Sequence, residues 1–143
     1  MNTTLRYIIA TVAGLCLAFL LGAGIEAIGH KIYPPPLGLD FHNAEQMRIY
    51  IRDLPLEPLL FVLLAWLDAV FAGGLVAALV ARAHPFRFAG VVGAVFLLAA
   101  IATMLMFPHP LWFIITAVLG IPFSSFLAGC IAKRLAQKAA GPH

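Results

Sequence analysis

Charged residues are scarce in this sequence. Asp, Glu, Lys and Arg make up 10% of the 143 residues, whereas 63% of the residues are hydrophobic. An ordinary soluble domain is about 25% charged, and a domain of this length leaves much of its surface in water. The scarcity of charge therefore excludes a soluble globular domain. It predicts an integral membrane protein whose surroundings are the lipid bilayer.

Cysteine and the short catalytic motifs are also scarce or missing. Cys16 and Cys130 are the only cysteines, and no CxxC pair occurs, so a thiol–disulfide oxidoreductase is not indicated. We expect both cysteines to be buried as small apolar side chains. The sequence has no GxxxxGK[ST] phosphate loop, no GxSxG motif and no paired-histidine haem signature. ATPases and serine hydrolases therefore receive no support, and no particular cofactor is indicated.

Four long apolar runs, separated by prolines, indicate four transmembrane helices. Each run is close to the ~20 residues that cross a bilayer. The runs cover about 6–29, 57–81, 87–106 and 111–135. The predicted fold is all-α: a polytopic membrane protein with four transmembrane helices in one bundle, forming a single domain over residues 1–143.

Lys and Arg are unevenly distributed between the two ends of these helices. One end carries six of them and the other carries three within a longer loop. Because cytoplasmic loops are enriched in Lys and Arg, we expect both termini to lie in the cytoplasm. Topology then explains the net charge of +3, and no nucleic-acid partner is expected. The six are Arg6, Arg82, Arg87, Lys133, Arg134 and Lys138; the three are Lys31, Arg48 and Arg52.

The longest connection, the outer loop 30–56, contains the pattern of a short amphipathic helix. Asn43 can cap this helix, with Gln46 as its capping-box partner. Apolar residues then recur at helical spacing, which predicts a helix that lies on the outer membrane surface or caps the bundle. These residues are Met47, Tyr50, Ile51 and Leu54.

Two of the predicted spans carry a small residue at every fourth position. Such ladders let helix backbones approach closely where lipid supplies no hydrophobic drive. We expect these faces to form the tightest helix contacts, with each other or with a neighbouring subunit. The second span has Ala65, Ala69, Gly73 and Ala77, continuing to Ala81; the fourth has Gly120, Ser124 and Ala128, continuing to Ala132 and Ala136.

Asp68 is the one deep ionisable residue. A carboxylate at bilayer depth costs roughly 2.5 kcal/mol or more unless it is paired, protonated or hydrated, so it is a candidate functional residue. Lying about 60° around the helix from Ala65, it should face protein rather than lipid. One interpretation is a proton- or cation-coupling carboxylate. The other is a protonated structural carboxyl bonded to Ser124, Ser125, Thr103 or a backbone carbonyl.

Trp66 lies close to Asp68 in the sequence, and together they form a predicted intramembrane polar site. An indole at this depth could line a pocket for a quinone, a lipid or a sterol-like tail. The alternative is that the large ring simply packs between helices.

A second group of polar residues is expected on the outer face. Glu26 and His30 are separated by one helical turn, and His42 and His109 fall in outer connections. Carboxylate and imidazole ligands suit zinc or another divalent metal, so Glu26, His30 and His109 are candidate ligands. No HxxxH or HExxH spacing supports a metal site. The alternative is a hydrogen-bonding cluster that seats the outer loop.

A resemblance follows from the order of several short motifs. A first helix with a polar pair near its end precedes YPPP with Gly38 and Asp40, then a helix with Gly73-Gly74, and finally Pro108-His109-Pro110 with Trp112-Phe113. This order resembles a group of short, uncharacterised bacterial inner-membrane proteins with four helices. The resemblance implies no reaction and no catalytic residue.

Three functions are compatible with these features. The first is an accessory, assembly or interaction subunit of a membrane complex, favoured by the ladders and by the missing catalytic motifs. The second is a homo-oligomeric proton- or cation-coupled transporter that uses Asp68. The third is an outer-face metal- or quinone-binding membrane protein built on Glu26, His30 and His109. Partners would be other membrane subunits or further copies of the chain.

Overall fold

The computed structural model describes residues 2–139, and this part of the chain is all-α, with no strand. Four of its five helices are long and apolar enough to cross a membrane, so the chain is a multi-pass membrane protein. The helices are α1 (Thr3–Ile32), α2 (Ala44–Arg52), α3 (Leu56–Ala81), α4 (Pro85–Met106) and α5 (Leu111–Ala139). Met1 and residues 140–143 lie outside the described residues.

The long helices extend beyond the apolar runs from which they were predicted. α1 begins at Thr3, before the predicted start at residue 6, because the Asn2 side chain accepts a hydrogen bond from Thr4 N and caps the first turn. α5 continues past residue 135 to Ala139. Hydropathy marks only the part of a helix that suits hydrocarbon, whereas backbone hydrogen bonding continues through polar turns.

Successive long helices run in opposite directions, which defines two ends of the molecule. The loop end carries α2 with its flanking loops and the turn 107–110. The terminal end carries Asn2 and the turn 82–84. Gly14 lies against Gly73 and Ala77 while Gly22 lies nearest Ala69, so α1 and α3 are antiparallel.

α3 is the central helix of the described chain. It packs against α1, α4 and α5, and its contact with α1 is the most extensive between any two helices. The core forms where the large side chains of three helices meet, and Val70, Phe113 and Ile121 are fully buried there. Any side chain on α3 therefore faces one of three helices or the remaining open side.

The small-residue ladder of α3 packs on a matching ladder of α1. Ala65, Ala69, Gly73 and Ala77 are all buried. A Cβ added to Gly73 would collide with the carbonyl oxygen of Gly14, so the two backbones touch directly. The α1 ladder, which the sequence analysis did not identify, comprises Ala10, Gly14, Ala18 and Gly22.

The ladder of α5 contacts α3 and α4 rather than the ladder of α3. A Cβ on Gly120 would meet Leu67, and Ala128 approaches Gly74. The ladder is not buried along its whole length, since Gly120 is half-buried and Ala136 is exposed. The ladder of α3 therefore packs against α1, whereas the ladder of α5 packs against other positions of α3 and against α4.

α2 begins at the predicted cap but without the predicted capping box. The Asn43 side chain accepts hydrogen bonds from Glu45 N and Gln46 N. The Gln46 side chain does not return to Asn43; its Oε1 accepts a bond from Asp40 N at 2.9 Å. This bond ties the loop that precedes α2 to the first turn of the helix.

Candidate functional site

Asp68 lies at the middle of α3 and is exposed on the surface of the single chain. The expectation that it faces protein is therefore wrong for this chain. Helical spacing fixes the angle between Asp68 and Ala65 but not where the neighbouring helices lie. α1 covers the side of Ala69 and Ala77, and α5 covers the side of Leu67 and Gly74. Asp68 falls on the open side between them.

The three side chains proposed as partners of Asp68 are bonded elsewhere. Ser124 Oγ donates to Leu67 O at 2.7 Å, and Ser125 Oγ donates to Ala89 O at 2.8 Å. Thr103 Oγ1 donates to Ala99 O, one turn earlier on its own helix. Within residues 2–139, Asp68 makes no hydrogen bond or ion pair. A structural carboxyl satisfied by these hydroxyls is excluded in the single chain.

Trp66 is buried and bonded to Glu26, not grouped with Asp68. Its indole Nε1 donates to Glu26 Oε1 at 2.7 Å. Its ring packs edge to face against Phe96 and Phe113. Two helical positions separate side chains by about 160°, so Trp66 and Asp68 point to nearly opposite sides of α3. The predicted polar site is thus two separate features.

A pocket at the loop end brings together three of the four predicted outer-face residues. Its inner chamber, of about 150 Å³, is lined by Glu26, His30 and His109, by the rings of Tyr33, Tyr50 and Phe61, and by aliphatic side chains of α2 and α3. His42 is not part of it. That side chain is 99% exposed, with Nδ1 3.6 Å from Asp40 Oδ1.

A larger outer chamber adjoins the inner one. It measures about 640 Å³ and lies between α2, the proline-rich loop and the start of α3. The two chambers share Tyr33, Tyr50, Leu54 and Pro58. Burial raises the pKa of the Tyr50 hydroxyl above its ordinary value. We call the two chambers together the loop-end pocket.

A third cavity, the side crevice, reaches Glu26 from another direction. It measures about 220 Å³ and lies between α1 and α4, lined by Phe19, Phe96 and Thr103 among others. Glu26 and Trp66 also line this crevice. The Glu26 carboxylate is therefore accessible from both the loop-end pocket and the side crevice.

His109 is held in a defined orientation. Its ring stacks on Phe113 with centroids 4.9 Å apart. Its Nδ1 lies 2.8 Å from Phe107 O, and since a carbonyl only accepts, Nδ1 carries the proton and donates. Burial lowers the pKa of the imidazole, and the bond to Phe107 opposes this effect only in part. At neutral pH the ring is uncharged.

The geometry does not support a metal site at the loop end. Among residues 2–139, no three His, Cys, Asp or Glu side chains lie close enough to hold a metal ion. One Glu26 oxygen is engaged by Trp66, and His109 Nδ1 is engaged by Phe107. Glu26, His30 and His109 therefore share a pocket without forming a ligand set.

The two cysteines are free, and neither is buried. Cys16 is exposed on α1 and Cys130 is half-buried on α5, so the expectation of two buried cysteines is wrong. The α1 ladder turns Gly14 and Ala18 inward. Cys16, midway between them in sequence, consequently points away from α3.

Sequence reasoning missed the aromatic part of the pocket. Tyr33, Tyr50 and Phe61 come from three separate segments of the chain. A signal was present, because all three residues fall close to the same predicted membrane boundary. Aromatic residues at a membrane boundary are also typical of an interfacial belt, so this signal alone does not indicate a pocket.

Comparison of the chain with protein-family models, with curated proteins and with solved structures finds no match. Its function must therefore be inferred from the geometry of its own residues.

Proposed function

We propose that this protein is an accessory or interaction subunit of a membrane complex. It would dock on another membrane chain through the open side of α3, here called the Asp68 face. This face consists of Leu60, Leu64, Asp68 and Leu79, all exposed in the single chain. The observation that carries the proposal is the position of the carboxylate on this face, at the middle of a membrane-spanning helix.

The cost of exposing Asp68 to lipid supports a docked partner. An acidic side chain at the helix centre costs about 2.5–3.5 kcal/mol in hydrocarbon. No donor within residues 2–139 offsets this cost. A partner helix that brings a hydroxyl, an amide or a basic side chain to the same depth would remove it. The apolar neighbours Leu60 and Leu64 would then pack around the polar contact.

The proposed setting is a bacterial inner membrane. Both termini would be cytoplasmic and the loop end would face outward, because the terminal end carries the larger number of Lys and Arg residues. The four long helices would form one bundle. α2 would be an amphipathic helix that covers the bundle, since Ile51 is buried while Arg48 and Arg52 are exposed.

Position-specific cross-linking tests the docking proposal. A photo-reactive residue at position 64 should give a discrete product in native membranes, and Asp68→Leu should abolish it. Position 98 on α4 is the matched control, because Leu98 is also apolar and is 68% exposed. Equal products at both positions, or none at position 64, would contradict the proposal.

A second candidate is a homo-oligomeric proton- or cation-coupled transporter. The exposure of Asp68 favours a version in which the path runs between copies, because the carboxylate does not enter the interior of one chain. A position-64 product of twice the 15.3 kDa chain mass would identify the partner as a second copy. Proton flux into liposomes should then disappear in Asp68→Asn. Flux equal to that of the unmodified chain would eliminate this function.

A further inference from the structure

We propose that the loop-end pocket binds an organic ammonium compound with an apolar body, whose charged nitrogen lies against the Glu26 carboxylate. This inference is independent of the docking function, since the Asp68 face and Glu26 lie on different parts of the molecule. The ligand chemistry follows from the charge, the rings and the shape of the pocket.

The charge of the pocket favours a cation. Each chamber has one carboxylate: Glu26 in the inner chamber and Asp53 in the outer one. Among the described residues, no Lys or Arg lines either chamber. The His109 ring adds no positive charge at neutral pH. Asp53 is paired with Arg52 Nε at 3.1 Å, so the attraction for an ammonium group comes from Glu26 in the inner chamber.

A hydrogen bond orients the Glu26 carboxylate through one oxygen, and the second oxygen can still accept a hydrogen bond. The 2.7 Å bond from Trp66 holds Oε1. No hydrogen bond to Oε2 is found within residues 2–139, and Oε2 is not among the buried atoms that lack a partner. The second oxygen is therefore accessible. A carboxylate fixed on one side and open on the other suits a charge-assisted contact with an N⁺ group.

The rings around Glu26 complete the cation site. Tyr33, Tyr50 and Phe61 line the inner chamber. Tyr33 and Phe61 meet edge to face with centroids 6.5 Å apart. The negative faces of aromatic rings attract ammonium groups, and quaternary ammonium ligands are commonly bound in such surroundings. Together with the carboxylate, the rings favour a nitrogen cation over a metal ion or a neutral alcohol.

Two adjoining spaces are suited to the apolar body. The outer chamber of about 640 Å³ lies within the range for ligand pockets and is walled by prolines and aliphatic side chains. The side crevice of about 220 Å³ provides an apolar channel between α1 and α4. A free hydrophobic amine and the head group of an aminophospholipid share this chemistry.

Binding of benzyltrimethylammonium tests the proposal. The chain is placed in nanodiscs of phosphatidylglycerol, which has no amine, and Trp66 fluorescence is followed in a Trp112→Phe background, since the chain has two tryptophans. Saturable binding is expected, and the neutral N-benzylacetamide should bind at least about ten-fold more weakly, because it lacks the charge. Absence of saturable binding overturns the proposal.

Three variants test whether binding depends on the Glu26 charge and on the ring of Phe61. Glu26→Gln keeps an acceptor for Trp66 but removes the charge, so binding should weaken at least about ten-fold. Glu45→Gln is the matched control, because this exposed acid lines neither chamber. Equal affinity in Glu26→Gln and the unmodified chain overturns the proposal. Phe61→Leu should also weaken binding, which keeps the test decisive if Glu26→Gln folds poorly.

Added phosphatidylethanolamine distinguishes the two sources of the ammonium group. If the lipid is the occupant, nanodiscs containing it should lose benzyltrimethylammonium binding by competition. If a free amine is the occupant, the affinity should not change. Either outcome supports the ammonium site, provided that Glu26→Gln weakens benzyltrimethylammonium binding at least about ten-fold, as expected above.

Discussion

The Trp66 indole donates a hydrogen bond across 2.7 Å to the Glu26 carboxylate, which lies 40 positions earlier in the sequence. This bond joins α1 to the central helix at the inner chamber. The bond fixes the orientation of the half-buried Glu26 carboxylate in mostly apolar surroundings. Both residues line the side crevice, whereas only Glu26 of the two also lines the inner chamber of the loop-end pocket.

Trp66→Phe should destabilise the protein by about 1 kcal/mol, because it leaves Glu26 Oε1 without its donor while retaining most of the ring packing. Unfolding in mixed micelles would measure the loss. Trp112→Phe is the control, since Trp112 is 36% exposed and its indole donates no hydrogen bond in the described chain. Equal losses in both variants would mean that the bond contributes nothing.

Gly73→Ala should destabilise the protein by about 1–3 kcal/mol, because the added methyl group would meet the Gly14 carbonyl in a tightly packed contact. Gly90→Ala is a matched control in another spanning helix, where an added Cβ has no neighbour within 4 Å. Thermal unfolding of both variants in the same detergent measures the difference. A Gly73→Ala protein as stable as Gly90→Ala would contradict the close approach of α1 and α3.

Asp68→Leu should have opposite effects on insertion and association. Insertion of α3 into a bilayer should improve by about 2.5 kcal/mol or more, because the charge is removed from the helix centre. Association through the Asp68 face should be lost. A glycosylation-based insertion assay measures the first effect and native electrophoresis the second. Glu57→Leu, at the first turn of α3, should change insertion far less.

His109 should make stability depend on pH. Burial lowers its pKa in the folded chain below the usual value of about 6.5. The unfolded state therefore binds more protons as pH falls through that value, and stability decreases until pH passes below the folded pKa. Unfolding between pH 5 and pH 7.5, chosen to bracket about 6.5, should show this loss. His109→Gln should flatten the profile, whereas His42→Gln, at a 99% exposed side chain, should not.

Much of the helical architecture was predictable from the sequence because a bilayer imposes length and polarity directly. Four apolar runs bounded by prolines indicate four spans, and α3 begins and ends within one residue of the predicted 57–81. The cap at Asn43 was predictable for a similar reason, since it depends on local residues. Local rules determine these features.

The site was less predictable because it depends on how helices meet. The Glu26–Trp66 bond requires the antiparallel register of α1 and α3, which no local pattern contains. To predict that Asp68 lies on the open side of α3, one must know which faces of α3 the other helices cover. The α1 ladder through Gly14 was visible at spacing four and would have indicated the partner of Gly73.

The central position of α3 has a consequence for how the chain is made. α1 and α3 leave the ribosome before α4 and α5, and they share the most extensive contact among the described helices. The contact between Gly14 and Gly73 can therefore form before α4 and α5 enter the bilayer. α3, with Asp68 at its middle, then lies beside α1 in the bilayer. α4 and α5 pack onto this pair of helices.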